Sequence, residues 1–255
     1  MSQGFFGTEK MAGTGKTRVT SEFGILVENV CGWMDIGVVV AAIRCGAGGV
    51  LNCEGARDCA QIERALAGII RLTDRPFGVK LDASLEHIGD LLRELPEQVD
   101  VVIFAGAATP ALEELVPGAR VRSRRVLLEV TSSQEARLGR DLGVDGLIAK
   151  GHEAGGRVGE ETAFVLLQRL LSGFSMEIWA HGGIGPHSAA ACRAAGAAGV
   201  VLDNQLLLTP ESSLPLKVRA AVERMEGDET VCLGQELGDL YRAYRRPGVV
   251  SVDRL

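Results

Sequence analysis

From about Phe23 onward the chain repeats one pattern: a short β-branched apolar run, a glycine-rich or polar joint, then a longer stretch of helical period. The runs are Phe23–Glu28, Gly49–Cys53, Phe77–Leu81, Val101–Ala105, Val126–Val130, Gly146–Lys150, Glu177–Ala180 and Gly199–Leu202. They recur every ~20–31 residues, the size of one strand–helix unit. Runs such as VVIFA, VLLEV, GLIAK and GVVL are almost wholly apolar, as strands covered on both faces are. Between them, Gln61–Leu72 sets Ile62, Leu66, Ile69 and Ile70 on one face, and Thr162–Leu171 turns Phe164, Val165, Leu167 and Leu171 inward. Eight such units in series imply an α/β fold, a (β/α)8 TIM barrel; an open doubly wound sheet is the second reading. After the eighth strand, Ser212–Glu226 and Thr230–Arg246 keep helical spacing, so extra C-terminal helices are expected, the second ended by Pro247-Gly248. The division is then an N-terminal arm over 1–22, the barrel over 23–226, and a C-terminal helix and tail over 227–255. The closing VVSVDRL completes no element, as in one piece of a longer polypeptide.

Composition narrows the function classes. Aromatic residues make up 4% and the net charge is −6, which disfavours stacking on single-stranded nucleic acid or a general phosphate-backbone binder. The six cysteines form no CxxC pair and have no histidine at zinc-ligand spacing, so reduced packing thiols in a cytoplasmic protein are expected, and no metal. No apolar stretch approaches the ~20 residues that span a bilayer, and MSQGFFGTEK lacks the layout of a signal peptide. Gly13-Thr14-Gly15-Lys16-Thr17 imitates a P-loop, but position 10 holds Lys10 where glycine is required. Cys45-Gly46-Ala47-Gly48-Gly49 reads as a helix-to-strand turn after a helix led by Asp35.

Two glycine-rich segments carry the chemistry. Lys150-Gly151-His152-Glu153-Ala154-Gly155-Gly156-Arg157 follows an apolar strand, which in a barrel places it on the C-terminal face where ligands bind. Its glycines let backbone amides approach a ligand, and its lysine, histidine and arginine are donors to an anion or carbonyl. Ala180-His181-Gly182-Gly183-Ile184-Gly185-Pro186 ends the next strand and opens a helix, a ready anion site. Loops after the seventh and eighth strands commonly form the phosphate cradle of such barrels.

The segments KGHEAGG and AHGGIG, with AAIRCGAGGVL earlier, resemble the nitronate monooxygenase (2-nitropropane dioxygenase) family, which includes FMN-dependent enoyl-acyl reductases. The likeness runs from about Phe23 to Glu211. The spelling GHEAGGRVGEE followed by GVVLDNQLLLTPES is most similar to barrels embedded in polyketide-synthase-type multienzymes. The resemblance implies FMN, with its phosphate on Gly182 and Gly183 and its ring near Lys80, Lys150, Gly151, Gly155 and Gly156, flanked by Ala180, Asp203 and Asn204. Three departures stand out. Arg157 takes the place of the family's catalytic histidine, Asp203-Asn204 replaces the Gly-Thr that completes the phosphate site, and Leu26-Val27-Glu28-Asn29 replaces a proline- and methionine-containing turn. An aspartate beside a phosphate repels it unless its side chain turns away. His152, His181 and Arg157 become the candidate catalytic residues, since imidazole titrates near pH ~6.5.

Two functions follow from the resemblance. One is oxidation of an alkyl nitronate; the other is reduction of a carrier-bound acyl chain or small-molecule substrate, with NAD(P)H as electron donor and adjoining synthase domains as partners. The rival from another class is a catalytically inactive barrel serving as a scaffold or docking domain in a multienzyme.

Overall fold

The computed structural model describes residues 23–30, 32–106, 110–227, 229–237 and 239–245. The expected arm over 1–22, with the Gly13–Thr17 segment, lies outside the described residues. The strands, in chain order, are β1 (Gly24–Glu28), β2 (Gly48–Asn52), β3 (Phe77–Asp82), β4 (Val99–Ala105), β5 (Arg125–Val130), β6 (Gly146–Lys150), β7 (Gly156–Val158), β8 (Glu177–His181) and β9 (Gly199–Leu202). All but β7 pair in parallel, in the order β1-β2-β3-β4-β5-β6-β8-β9, and β9 closes on β1 with Gly24 opposite Gly199. This is a (β/α)8 barrel, and the open sheet is excluded.

The helices are α1 (Ile36–Arg44), α2 (Cys59–Ile70), α3 (Ile88–Glu94), α4 (Leu112–Ala119), α5 (Ser133–Asp141), α6 (Ala163–Gly173), α7 (Pro186–Ala195) and α8 (Leu216–Val222). Asp35, Asp58 and Ser132 cap α1, α2 and α5 by accepting from the amides of Gly37, Gln61 and Glu135. Strand alternation splits the core into two shells. Leu26, Val50, Val101, Ile103, Leu127, Ile148, Trp179 and Val201 fill the barrel, while the intervening residues, Leu51 and Val102 among them, pack outward with helix residues such as Ile62, Leu66 and Leu166. The Trp179 ring fits because its neighbour across the ladder is glycine: a Cβ on Gly199 would meet Trp179 Cζ3 at 2.3 Å.

Two expectations are corrected. Thr230–Arg246 is not a helix. Thr230–Leu233 (β10) and Leu240–Tyr244 (β11) form an antiparallel hairpin that pairs with β7, Tyr241 opposite Arg157. In α6 the buried residues are Ala163, Leu166, Leu167 and Leu170, whereas Phe164 and Val165 are 41% and 48% exposed. Cys45, Cys53, Cys59, Cys192 and Cys232 are free thiols. No described helix is long and apolar enough to cross a membrane.

Candidate active site

One step beyond the apolar filling, the same alternation turns polar side chains into the barrel at nearly every strand end. Glu28 ends β1, Asn52 ends β2, Lys80 lies near the end of β3, Glu129 near that of β5, Lys150 ends β6 and His181 ends β8; Asp203 follows β9, and all but Asp203 are buried. They form one network with Glu54. The Lys80 ammonium lies 3.2 Å from Glu28, 3.0 Å from Glu54 and 2.5 Å from Glu129. Glu129 takes Lys150 on Oε1 at 2.9 Å and His181 Nδ1 on Oε2 at 3.2 Å, and His181 Nε2 meets Asp203 Oδ2 at 3.1 Å. Asn52 Nδ2 donates to Glu28 at 3.1 Å, and Asn29 fixes the Asn52 backbone on both sides. The ligand atoms of Glu28, Glu129 and His181 lie within 4.8 Å of one another, a spacing that suits a metal ion. The Lys80 ammonium already bonds both of these carboxylates, so the cation of this cluster is a lysine.

Four carboxyl groups (Glu28, Glu54, Glu129 and Asp203) face two ammonium groups and one imidazole. Burial works against the charge on His181, but Asp203 and Glu129 outweigh it and raise the ring to about 9, so it is an imidazolium at neutral pH. Burial likewise opposes the Asp203 carboxylate, yet His181 holds it down at about 2. Glu129 is depressed against burial by Lys150 and Lys80, and Lys80 is held well above the lysine range by Glu129, Glu28 and Glu54. Glu28 goes the other way: burial raises it, more than Lys80 lowers it, and its Oε1 has no partner. The barrel mouth thus has a buried floor in which carboxyl groups alternate with lysine and histidine cations.

Glycine loops lie beside this floor. Gly182 and Gly183 have φ of 111° and 60°, a backbone conformation that favours glycine, and lead into α7. Among the described residues the amides of Gly183 and Ile184 donate to no other group, while that of Gly185 bonds Ser188 Oγ at 2.8 Å. Gly155 and Gly156 arch over the same region: a Cβ on Gly156 would be 3.7 Å from Lys150 Nζ, and one on Gly155 would be 3.5 Å from Asn204 Nδ2. Gly151 serves packing, since a Cβ there would lie 2.1 Å from the Ala163 nitrogen. The Ala180 methyl belongs to the outer core, which leaves a ligand only its backbone. Asp203 turns away from the cradle, toward His181, and removes the repulsion that its position in the sequence implies.

His152 and Arg157 do not join the network. The His152 ring meets the Gly159 carbonyl through Nδ1 at 2.8 Å and Cys232 Sγ through Nε2 at 3.7 Å. Arg157, on β7, pairs with Glu135 and, at 3.2 Å, with Asp239, and donates to the Gly106 carbonyl. Both hold the β10–β11 hairpin against the barrel. Glu28, Asn52, Glu54 and Glu129 escaped the sequence reading as site residues. Their signal was an apolar residue followed two positions later by a polar one at the strand end, as in Leu26-x-Glu28, Val50-x-Asn52 and Leu127-x-Glu129. A cavity of about 540 Å³ opens on this face between the loops after β2 and β3, lined by Cys53, Arg57, Cys59, Asp82, Ser84 and His87 among others.

Comparison with known proteins places this chain in a family. The profile of the nitronate monooxygenase family matches residues 84–247, well over half of the chain. The chain belongs to the nitronate monooxygenase family. It is 30% identical over 212 residues to (3aS,4S,5R,7aS)-5-hydroxy-7a-methyl-1-oxo-octahydro-1H-indene-4-carboxyl-CoA dehydrogenase of Rhodococcus jostii (strain RHA1), which covers 80% of this chain. The chain spans 58% of the length of that relative. Among solved structures, FabK from Thermotoga maritima superposes with a TM-score of 0.79 at 29% identity, covering 92% of this chain and 76% of FabK. The enoyl reductase domain of MlnA from Bacillus amyloliquefaciens shares the fold, with a TM-score of 0.69 at 15% identity over 88% of this chain and 64% of that one. Nitronate monooxygenase family members are flavin-dependent oxidoreductases, and a flavin cofactor agrees with the donors present here. The glycine turn before α7 presents unpaired amides, the helix dipole favours an anion there, and of the two carboxylates nearby Asp203 is turned inward to His181 while Glu153, beside Gly183, accepts from the Ala163 amide.

Proposed function

We propose that this chain is the flavin-binding barrel of an FMN-dependent oxidoreductase acting on an acyl thioester. The observation that carries the proposal is the pairing of the unpartnered Gly183 and Ile184 amides, in the turn before α7, with a buried floor of interleaved carboxyl groups and cations beside it. Gly183, Ile184 and the start of α7 would hold the phosphate of FMN, and Gly155, Gly156 and Asn204 would flank the cofactor. Bound flavin supplies hydride transfer. The residues of the chain bind and orient. Lys80 keeps its proton on Nζ, held by three carboxylates, and the buried floor closes the barrel beneath the mouth.

Support for a thioester comes from the Rhodococcus relative, whose name specifies a carboxyl-CoA substrate, and from the family's enoyl-acyl reductases. The 540 Å³ cavity falls in the usual ~300–1,000 Å³ range of small-molecule sites and would admit the acyl end. NAD(P)H is the proposed electron donor. His152 and Arg157 are assigned to holding the hairpin, because both side chains are already engaged there. Anaerobic mixing of the FMN-loaded protein with NADPH tests the proposal. The expected result is bleaching of the flavin, followed by recovery of its colour on adding an α,β-unsaturated acyl thioester. Bleaching by an alkyl nitronate alone would replace this reading with nitronate oxidation, and failure to bind FMN would leave the scaffold reading.

A further inference from the structure

We propose that His181 is a positioning residue for the phosphate end of the flavin: its ring holds the Asp203 carboxylate inside the barrel and keeps it from adding to the Glu153 carboxylate already beside Gly183 in the Gly182–Gly185 turn. The inference rests on the flavin reading above and adds to it a role for the His181–Asp203 pair. Asp203 stands where the resemblance places part of the phosphate site. It is also close to the cradle in the fold. Gln205 accepts from the Asp203 amide at 2.9 Å and donates to the Ile184 carbonyl at 2.8 Å, so one side chain links Asp203 to the turn. A carboxylate at this place with no partner would face the ligand phosphate across a low-dielectric gap.

His181 prevents this by geometry and charge. Nε2 meets Asp203 Oδ2 at 3.1 Å, and the far nitrogen is anchored on Glu129 at 3.2 Å, so the ring cannot turn away without leaving Glu129. The charged groups around the ring are Asp203 after β9, Glu129 on β5, Glu28 on β1, and the Lys80 and Lys150 ammonium groups on β3 and β6, both bound to Glu129. The two carboxylates bonded to the ring favour its imidazolium form, which donates on both sides.

Dissociation constants for FMN and for riboflavin, which lacks the phosphate, test the assignment. His181→Phe is expected to weaken FMN about tenfold or more and leave riboflavin unchanged, and Asp203→Asn in the same chain is expected to restore FMN. An equal loss for both flavins, or no recovery with Asp203→Asn, would overturn it, because a merely structural ion pair does not discriminate by phosphate. Should His181→Phe fail to fold, the unmodified protein gives the same answer. Its preference for FMN over riboflavin is expected to fall as pH rises through about 9, where the ring loses its proton, and to stay level with Asp203→Asn. A level preference in the unmodified protein overturns the assignment. Binding of neither flavin at neutral pH refutes the flavin reading itself.

Discussion

Replacing Lys80 with Met keeps an unbranched apolar stem of similar length and removes only the ammonium. Lys80 is fully buried and bonds three carboxylates at 2.5 to 3.2 Å, so its loss leaves charge that the barrel cannot solvate. The floor would then hold four carboxyl groups against Lys150 and His181, one cation fewer than in the unmodified chain. One carboxylate must then take up a proton that it does not carry beside Lys80. For a reference glutamate at ~4.3, that costs about 3.7 kcal/mol at pH 7 and about 1 kcal/mol at pH 5. The neutral-pH figure agrees with the ~3–5 kcal/mol typical of breaking a buried ion pair. Urea unfolding of both proteins at the two pH values, with linear extrapolation, measures the difference. The destabilisation is expected to shrink by about 2.7 kcal/mol between pH 7 and pH 5, the linkage of one proton over two pH units. Equal destabilisation at both pH values would refute the reasoning, since no carboxylate would then be stranded.

Asp100 on β4 has a buried, unpartnered Oδ1, and burial raises it to about 6 against the opposing pull of Arg125. The folded state therefore loses stability as pH rises from the unfolded value of ~3.9 through 6, and Asp100→Asn is expected to stabilise by up to ~3 kcal/mol at pH 7 and by little at pH 4. Thermal melts at both pH values check this. Gly182→Ala, with φ of 111° and a Cβ that would lie 3.2 Å from that of Ala154, is expected to cut FMN affinity by more than about tenfold while the far-ultraviolet circular dichroism is retained. Arg157→Met releases Glu135 and Asp239, so amide exchange over 156–158 and 240–244 is expected to quicken while that of β1 to β6 stays unchanged. His152→Ala is expected to act on the same hairpin without lowering flavin content.

The eight barrel strands were legible because each is covered on both faces and so reads as an apolar run. The helix caps at Asp35 and the turn at Gly46 were legible for equally local reasons. Thr230–Arg246 was misread because Leu233, Leu237, Leu240 and Tyr244 also fit helical spacing; what makes β10 and β11 strands is their pairing with each other and that of β11 with β7, more than 70 residues earlier. The inward charges were half legible. His181, Lys150, Lys80 and Asp203 drew notice beside glycines or through the family likeness, whereas Glu28 and Glu129 looked like ordinary strand ends. Only closure of the barrel brings Glu129 to Lys80, Lys150 and His181 at once. The inward turn of Asp203 follows from the same closure, so the sequence raised the phosphate conflict without showing its resolution.

The central claim, a flavin phosphate at the Gly182–Gly185 turn beside the buried ion-paired floor, is tested most directly by equilibrium titration of the purified chain with FMN. The account predicts one FMN bound per chain, with the visible absorption of a protein-bound oxidised flavin and tighter binding than riboflavin shows. A protein that stays colourless after reconstitution, or that binds both flavins equally well, would contradict it.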